Sequence, residues 1–401
     1  MEIKVSLIDN EVDFFRLGKK WNALLEQSAS QSIFLTWEWI SAWWKSYKRS
    51  GDRPFVLLAE DEERLVGMAP LFLRKIRFAK LLDLRALSFI GDGTWDSDYL
   101  DFVIMTGRER QVINEFFRYL IRIDLWDLAL LNEIPAASPT LPHVAACAQH
   151  LKLLFMQSEF PCAYTPLPGT WQNYLASLRP RFRTKVRSTL KMFEKEFGAK
   201  FERYDDEESL TQALETLFDL HGKRWALKQE GGVFGFSGKK EFYGGMAQNV
   251  LRRNWLRLYG LRLRDKVVAC QLGFEYNETF YHLQEGFDPE YEHLSAGIAL
   301  RAHVFRECIG NRLKEYDFLG GIGRHKTDWG AVPKQSVRLA IGRPGPVNLL
   351  YLRLPGLKEK GKEIVRPIVP AVLLELRRRS LERWKRMRLR HSLQNKFQSI
   401  F

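Results

Sequence analysis

The sequence predicts an α/β (α+β) layer fold in two lobes followed by a basic helical tail, and three observations predict it. A chain of 401 residues exceeds what one core of ordinary size takes. Each half runs from helices into a strand hairpin with a charged turn, then into strands separated by helix. Hydrophobic residues make up 45% of the chain and charged residues 27%, with a mean hydropathy of -0.29, a globular composition that excludes a disordered or fibrous chain. No run reaches the roughly 18 apolar residues of a membrane span, and the opening MEIKVSLIDN lacks the basic-then-apolar layout of an export signal. A cytoplasmic location is the expectation.

In the first half, FFRLGKKWNALLEQS and SIFLTWEWISAWWKSY carry apolar residues at three- and four-residue intervals and read as helices. Trp37, Trp39, Trp43 and Trp44 fall in the second with core-like spacing, so packing is their expected role. PFVLLAE, the turn DEER and LVGMAPLFL read as a hairpin, and RALSFIG and DYLDFVI as a further strand pair across the loop DGTWDSD. Residues 110–123 return to helix and DLALLNEI to strand. The proline-dotted FPCAYTPLPG at 160–169 breaks the periodicity and is the expected boundary between lobes. Beyond it, helices are predicted over 170–177, 182–197 and 209–227, then the hairpin LRLYGLRL, RDK, VVACQLGFEY. Strand TFYHLQEGF, turn DPEYEHLSAG, helix IALRAHVFRECIG, strand EYDFL and loop GGIGRHKTDWG complete the second half. The two hairpins hold the same order, which suggests an internal duplication. The divisions expected are 1–165, 166–345 and 346–401.

Cys147, Cys162, Cys270 and Cys308 are far apart, form no CxxC pair and have no histidine at ligand spacing, so neither a metal site nor a disulfide framework is expected. They read as buried small hydrophobes. The net charge of +14 is concentrated at one end, since residues 351–401 hold 14 Lys and Arg against 4 Asp and Glu. The body of the chain is nearly neutral.

The order hairpin, strand, turn, helix, strand resembles the core of the GNAT acyltransferase superfamily. Within it the sequence is similar to the CelD/BcsL-like acetyltransferases associated with cellulose and exopolysaccharide synthesis, which are related to Fem-type peptidyltransferases and carry two GNAT-like lobes. The resemblance runs from about residue 34 to residue 330. Its carriers are FLTWEWISAWW, LVGMAPL, SDYLDFVI, RFRTKVRSTLKMFEKEFG, HGKRW, VVACQLGFEY, EGFDPEYEHLSAGIAL and DFLGGIGRHKTDWG. It implies transfer of an acyl group from acetyl-CoA or a longer acyl-CoA to an amine or hydroxyl, with a saccharide or exopolysaccharide precursor among the acceptors, and without a metal.

In such a site the strand around Gln284 would supply backbone amides to the thioester carbonyl and its oxyanion. Ser295, Ala296 and Gly297 would hold the pyrophosphate at a helix start, where free N–H groups favour an anion. The superfamily usually has Gln or Arg, two residues, Gly, one residue, then Gly or Ala. Here the stretch begins with Glu292, and a serine cap with a glycine-eased turn is the ordinary alternative. Asp98, beside Tyr99 and Asp101, and Glu285 are candidate bases if burial raises their pKa, or else loop caps and surface ion pairs; His282 is a weaker candidate. His325 is a candidate acid for the leaving thiolate, although the family often has Tyr at that position. Arg183 and Arg187, with Lys191, line one side of a basic helix that could dock an anion, the alternative being a solvated face. Lys326 and Trp329 match the family pattern in the last loop, and Trp225 ends a helix among polar neighbours; all three are candidate substrate-binding residues.

In the tail, RRRSLERWKRMRLRH reads as a basic amphipathic helix suited to an anionic membrane surface or a protein partner. Two rival readings are a Fem-type transferase using aminoacyl-tRNA, the only one in which nucleic acid is a partner, and a non-catalytic binding subunit of a polysaccharide assembly.

Overall fold

The computed structural model describes residues 3–78, 82–226 and 233–353. The chain opens on strand β1 (Lys4–Ile8) and helices α1 (Glu11–Arg16), α2 (Gly18–Leu25) and α3 (Trp37–Tyr47). The hairpin β2 (Arg53–Asp61) and β3 (Arg64–Phe78) follows, then β4 (Leu82–Phe89), the short β5 (Val103–Ile104), α4 (Glu109–Arg122), β6 (Leu128–Pro135) and α5 (Leu141–His150). The middle of the chain holds β7 (Leu154–Pro166), α6 (Trp171–Ser177), α7 (Pro180–Lys191), β8 (Lys200–Tyr204), α8 (Glu207–Ala226) and α9 (Lys239–Leu251). Then come β9 (Leu256–Leu263), β10 (Lys266–Tyr276), β11 (Thr279–Phe287), α10 (Ala296–Gly310), β12 (Glu315–Gly320), the single turn α11 (Arg324–Thr327) and β13 (Val332–Gly342). These elements form one compact unit to Pro344, and a second unit begins at Gly345, of which helical turns over 346–353 are described. The expected basic amphipathic segment at 377–391 lies outside the described residues.

Among the described residues the strands make one mixed sheet in the order β1-β2-β3-β4-β6-β13-β7-β12-β11-β10-β9-β8, with β5 beside β3. Reading outward from the antiparallel β13·β7 pair, both flanks repeat one pattern. The next strand is antiparallel (β6 or β12), the one beyond it parallel (β4 or β11), and the remaining three antiparallel. The duplication expected from the hairpins is therefore present in the topology. The last strand of each half has changed sides: β7 pairs with β12 of the second half and β13 returns to β6 of the first.

The early tryptophans pack as expected. Trp21, Trp39, Trp43 and Trp44 are fully buried, and each indole N–H finds an acceptor: Leu35 O at 2.7 Å, Ser97 Oγ at 2.9 Å, Thr94 Oγ1 at 3.0 Å and a Glu11 carboxylate oxygen at 3.2 Å. Trp39 also meets Phe242 of α9 edge-on at 5.2 Å. The four cysteines are free and buried.

Two segments depart from expectation. DYLDFVI forms a strand only at Val103 and Ile104; before it the chain turns through Tyr99 at φ 52°, and Asp101 is enclosed by bonds from Ser30, Ser138, Thr140 and its own neighbour Phe102 N–H. The segment 160–169 is mostly β7, a central strand, in which Pro161 and Pro166 occupy ladder positions opposite Gln335 and Glu315.

Candidate active site

β11 and β12 run together for only three residue pairs, Thr279–Glu315, Phe280–Tyr316 and Tyr281–Asp317. Then they part. β11 continues with a bulge at Leu283 against β10, while β12 turns away through Leu319, which sits at φ 61°. The space between them is a cleft of about 590 Å³, walled by His282–Glu285 on one side and Phe318–Gly321 on the other. Among the described residues, backbone groups of His282–Glu285 that point away from β10 have no strand partner, which leaves them open to a ligand.

The cleft collects residues remote in sequence. Asp98, Gln284, Glu285, Trp225, His325 and Lys326, all expected at a site, line it together. The first half adds Trp95, Glu133 and Phe160, and β13 adds Arg338. Asp98 accepts a 3.3 Å bond from the Gly320 amide. Burial and then the Asp317 charge push its carboxyl up to about 6, which suits a proton acceptor near neutral pH. Glu133 was not expected. It stands at φ 66° in a bulge where two residues of β6 face Arg338, and it pairs with that arginine at 3.2 Å. Burial, then the Asp98 charge, push Glu133 up to about 7. Its sequence signal is no more than an acid in a strand, because the bulge that turns it into the cleft is invisible there.

The geometry gives several of the expected residues partners within the protein. Glu285 is held by Arg301, by Arg224 at 3.1 Å and by His282 at 3.7 Å. Burial acts to raise its pKa, but the permanent charges of Arg301 and Arg224 outweigh it and hold the carboxyl below the usual range, so it anchors the two arginines as a carboxylate. His282 is kept neutral, with burial lowering it to about 3. Partial burial, then Arg301 and Lys326, also lower the pKa of His325. Lys326 is buried and its ammonium is fully engaged by four backbone carbonyls, of Phe318 at 2.8 Å, Leu319 at 3.2 Å, Gly320 at 2.7 Å and Gly321 at 2.8 Å. It closes the β12 turn instead of reaching a substrate. Trp329 is buried with its ring stacked 5.1 Å from Phe305.

His221 is 2% exposed, lines the cleft from α8, and its Nδ1 has no partner among the described residues. α8 comes this close because Gly286 of β11 lies beneath it: a Cβ there would stand 2.5 Å from the His221 amide nitrogen.

Arg301 and His325 also line a second cavity, a groove of about 620 Å³ beside α7, to which Trp329 contributes. Ser295, Ala296 and Gly297, with Arg183 and Arg187, line neither cavity. Arg183 turns back to cap the carbonyl of Ala176 at 3.0 Å. Among the described residues no cluster of His, Cys, Asp and Glu is arranged to hold a metal, and no helix is long and apolar enough to cross a membrane.

Residues 180–327, which span β8–β12 and the cleft's second-half wall, match the model of the family described as Acetyltransferase (GNAT) domain. Solved structures share the wider fold. FemX superposes with a TM-score of 0.56 at 13% identity, over 84% of this chain and 97% of its own. A conserved protein of unknown function from Bacteroides thetaiotaomicron VPI-5482 gives 0.52 at 14%, over 85% and 100%. The C-terminal domain of a putative lysylphosphatidylglycerol synthetase from Agrobacterium fabrum gives 0.52 at 10%, over 86% and 96%. No curated protein sequence matches this chain. Residues 180–327 are thus similar to a GNAT acetyltransferase domain, and the fold around them is shared with FemX.

Proposed function

We propose that this protein is a GNAT-like acyltransferase that moves an acyl group from acyl-CoA to an amine or hydroxyl of a small acceptor, with saccharide precursors of exopolysaccharides as the acceptor class. The observation that carries this reading is the parting of β11 from β12 beside a carboxyl whose pKa is raised to about 6. The thioester carbonyl lies against the open backbone edge near Gln284, whose amides stabilise the oxyanion. The acceptor nitrogen or oxygen attacks the carbonyl carbon, Asp98 takes the proton it loses, and the carbon–sulfur bond breaks to release the thiolate, which water protonates. Arg301, tied to Glu285, keeps that wall of the cleft rigid. The basic tail would hold the protein at an anionic membrane surface, near lipid-linked acceptors.

Purified protein incubated with acetyl-CoA, longer acyl-CoA and a panel of amino sugars should yield acylated product by mass spectrometry, and Asp98→Asn should reduce turnover at least a hundredfold. The absence of product with every donor would discard the reading. A second reading, a Fem-type transferase using aminoacyl-tRNA, draws on the shared fold and on the acidic turn before α10, where Asp288, Glu290 and Glu292 precede the helix. Product from aminoacyl-tRNA but not from acyl-CoA would select it, and neither binding nor turnover with any donor would favour a non-catalytic subunit.

A further inference from the structure

The proposed donor carries a phosphate-bearing arm, and the fold offers two helix starts near the cleft to receive it. α10 begins at Ser295, in the left-handed region with no side-chain cap, after the turn that holds Glu290, paired with Lys266 at 3.3 Å, and Glu292. The Glu292 carboxylate at that approach repels phosphate. α7 is the opposite case. It is twelve residues long, has Pro180 in its first turn, and Arg179 at its N-cap makes no side-chain bond to it. The amides of Arg181 and Phe182 therefore have no intrahelical acceptor, and none is found for them among the described residues.

The groove at this helix start has a cationic rim and an apolar floor. Arg179, Arg181, Lys185 and Arg324 ring it, above Phe182 and Trp329, whose rings meet edge-on at 5.1 Å. One carboxylate, Asp328, faces them, 3.7 Å from Arg324. Arg179, Arg181 and Lys185 form no side-chain hydrogen bond or ion pair among the described residues, whereas Arg85, Arg262 and Lys266 elsewhere in the protein are paired with acids. Three unpaired cations around unclaimed helix amides repel one another unless an anion joins them.

An independent feature points to the same place. Arg301, 7% exposed, lines both groove and cleft, and while its two Nη atoms reach the His325 carbonyl and Glu285, its buried Nε has no partner among the described residues. A buried guanidinium N–H left unpaired is costly unless a ligand completes it.

We infer that a diphosphate or phosphate ester binds in this groove, seated on the N-terminus of α7 and held by Arg181, Lys185 and Arg301, and not at Ser295–Gly297. The inference rests on the acyltransferase reading for its place in the reaction, since the groove meets the cleft at Arg301 and His325 and so leads a phosphate-bearing donor to the point where the strands part. Its existence as an anion site does not depend on that reading.

The test is calorimetric titration of the full-length protein with inorganic pyrophosphate at fixed ionic strength. Arg181→Gln with Lys185→Gln, both exposed side chains, should weaken binding at least tenfold, while Gly297→Asp on α10 should leave it within twofold. Loss of binding in Gly297→Asp with retention in the double variant would overturn the inference, as would affinity unchanged by the double variant, which would place the anion elsewhere in this basic chain. If the wild type also transfers acyl groups, the double variant should raise KM for acyl-CoA and leave kcat unchanged; a fall in kcat alone would count against the site. Pyrophosphate binding with no acyl transfer would sink the proposed activity and leave the anion site standing.

Discussion

Replacing Lys326 with methionine isolates what a buried ammonium does at the end of β12. Methionine keeps most of the apolar stem but leaves four converging carbonyls, of Phe318, Leu319, Gly320 and Gly321, with no donor. A charge-assisted bond contributes roughly 1.5–3 kcal/mol net. Water can reach Gly320 and Gly321, which are exposed, so the low end applies, and three lost donors cost about 4.5 kcal/mol. Unfolding entropy of ~2.1 cal/mol/K per residue, over the unit that ends at Pro344, turns that into a Tm lower by roughly 6 °C. A chemical consequence accompanies the thermal one. Lys326 lowers the Asp98 pKa by its charge, and the carbonyls it gathers include that of Gly320, whose own amide bonds Asp98. In Lys326→Met the Asp98 carboxyl should therefore titrate above 6, readable as a displaced carboxyl resonance by carbon-13 NMR, assigned by its loss in Asp98→Asn. Added ammonium ion should restore part of both effects. A melting temperature within 1 °C of wild type together with an unmoved titration would refute the argument that this lysine braces the turn.

Other perturbations test other links. Asp98→Asn should alter stability in a defined window: the folded-state pKa of about 6 lies above the ordinary carboxylate value, so the wild type loses stability as pH rises from about 4 to 6 and the variant should lose less, which thermal melts across that range would reveal. Asp96→Asn leaves Lys239, paired with it at 2.7 Å and 6% exposed, as an uncompensated buried charge; denaturant titration should show a loss of about 3–5 kcal/mol. Gly286→Ala should force α8 off β11 by its contact with the His221 amide, destabilising the fold by about 1–3 kcal/mol and enlarging the cleft, checked by melts and a crystal structure.

The hairpins, the indole-rich helix and the β11–α10–β12 order were legible because periodicity and turn chemistry are local. What sequence hid was either weakly patterned or made by distant partners. α9 carries Gly244 and Gly245 in its interior, which blunts helical spacing. Pro161 and Pro166 suggested a linker where β7 runs through the middle of the sheet. At the site, residue types predicted location better than role. Asp98, Glu285 and Lys326 do converge, but Glu285 is neutralised by two arginines and Lys326 by carbonyls, neither of which any spacing rule exposes. Spacing singles out Arg183 on a basic helix whose groove-lining cations are its neighbours Arg181 and Lys185.

The crossing of β13 into the first half bears on how the protein is made. As the nascent chain leaves the ribosome, β6, complete at Pro135, must wait about 200 residues for the strand that covers it, which ends at Gly342. At ~5–20 residues per second that delay lasts tens of seconds. Throughout it the unfinished molecule shows a naked strand border able to recruit another copy, so truncation before residue 342 should yield aggregates and not a smaller folded protein, and chaperone dependence should be concentrated in that interval.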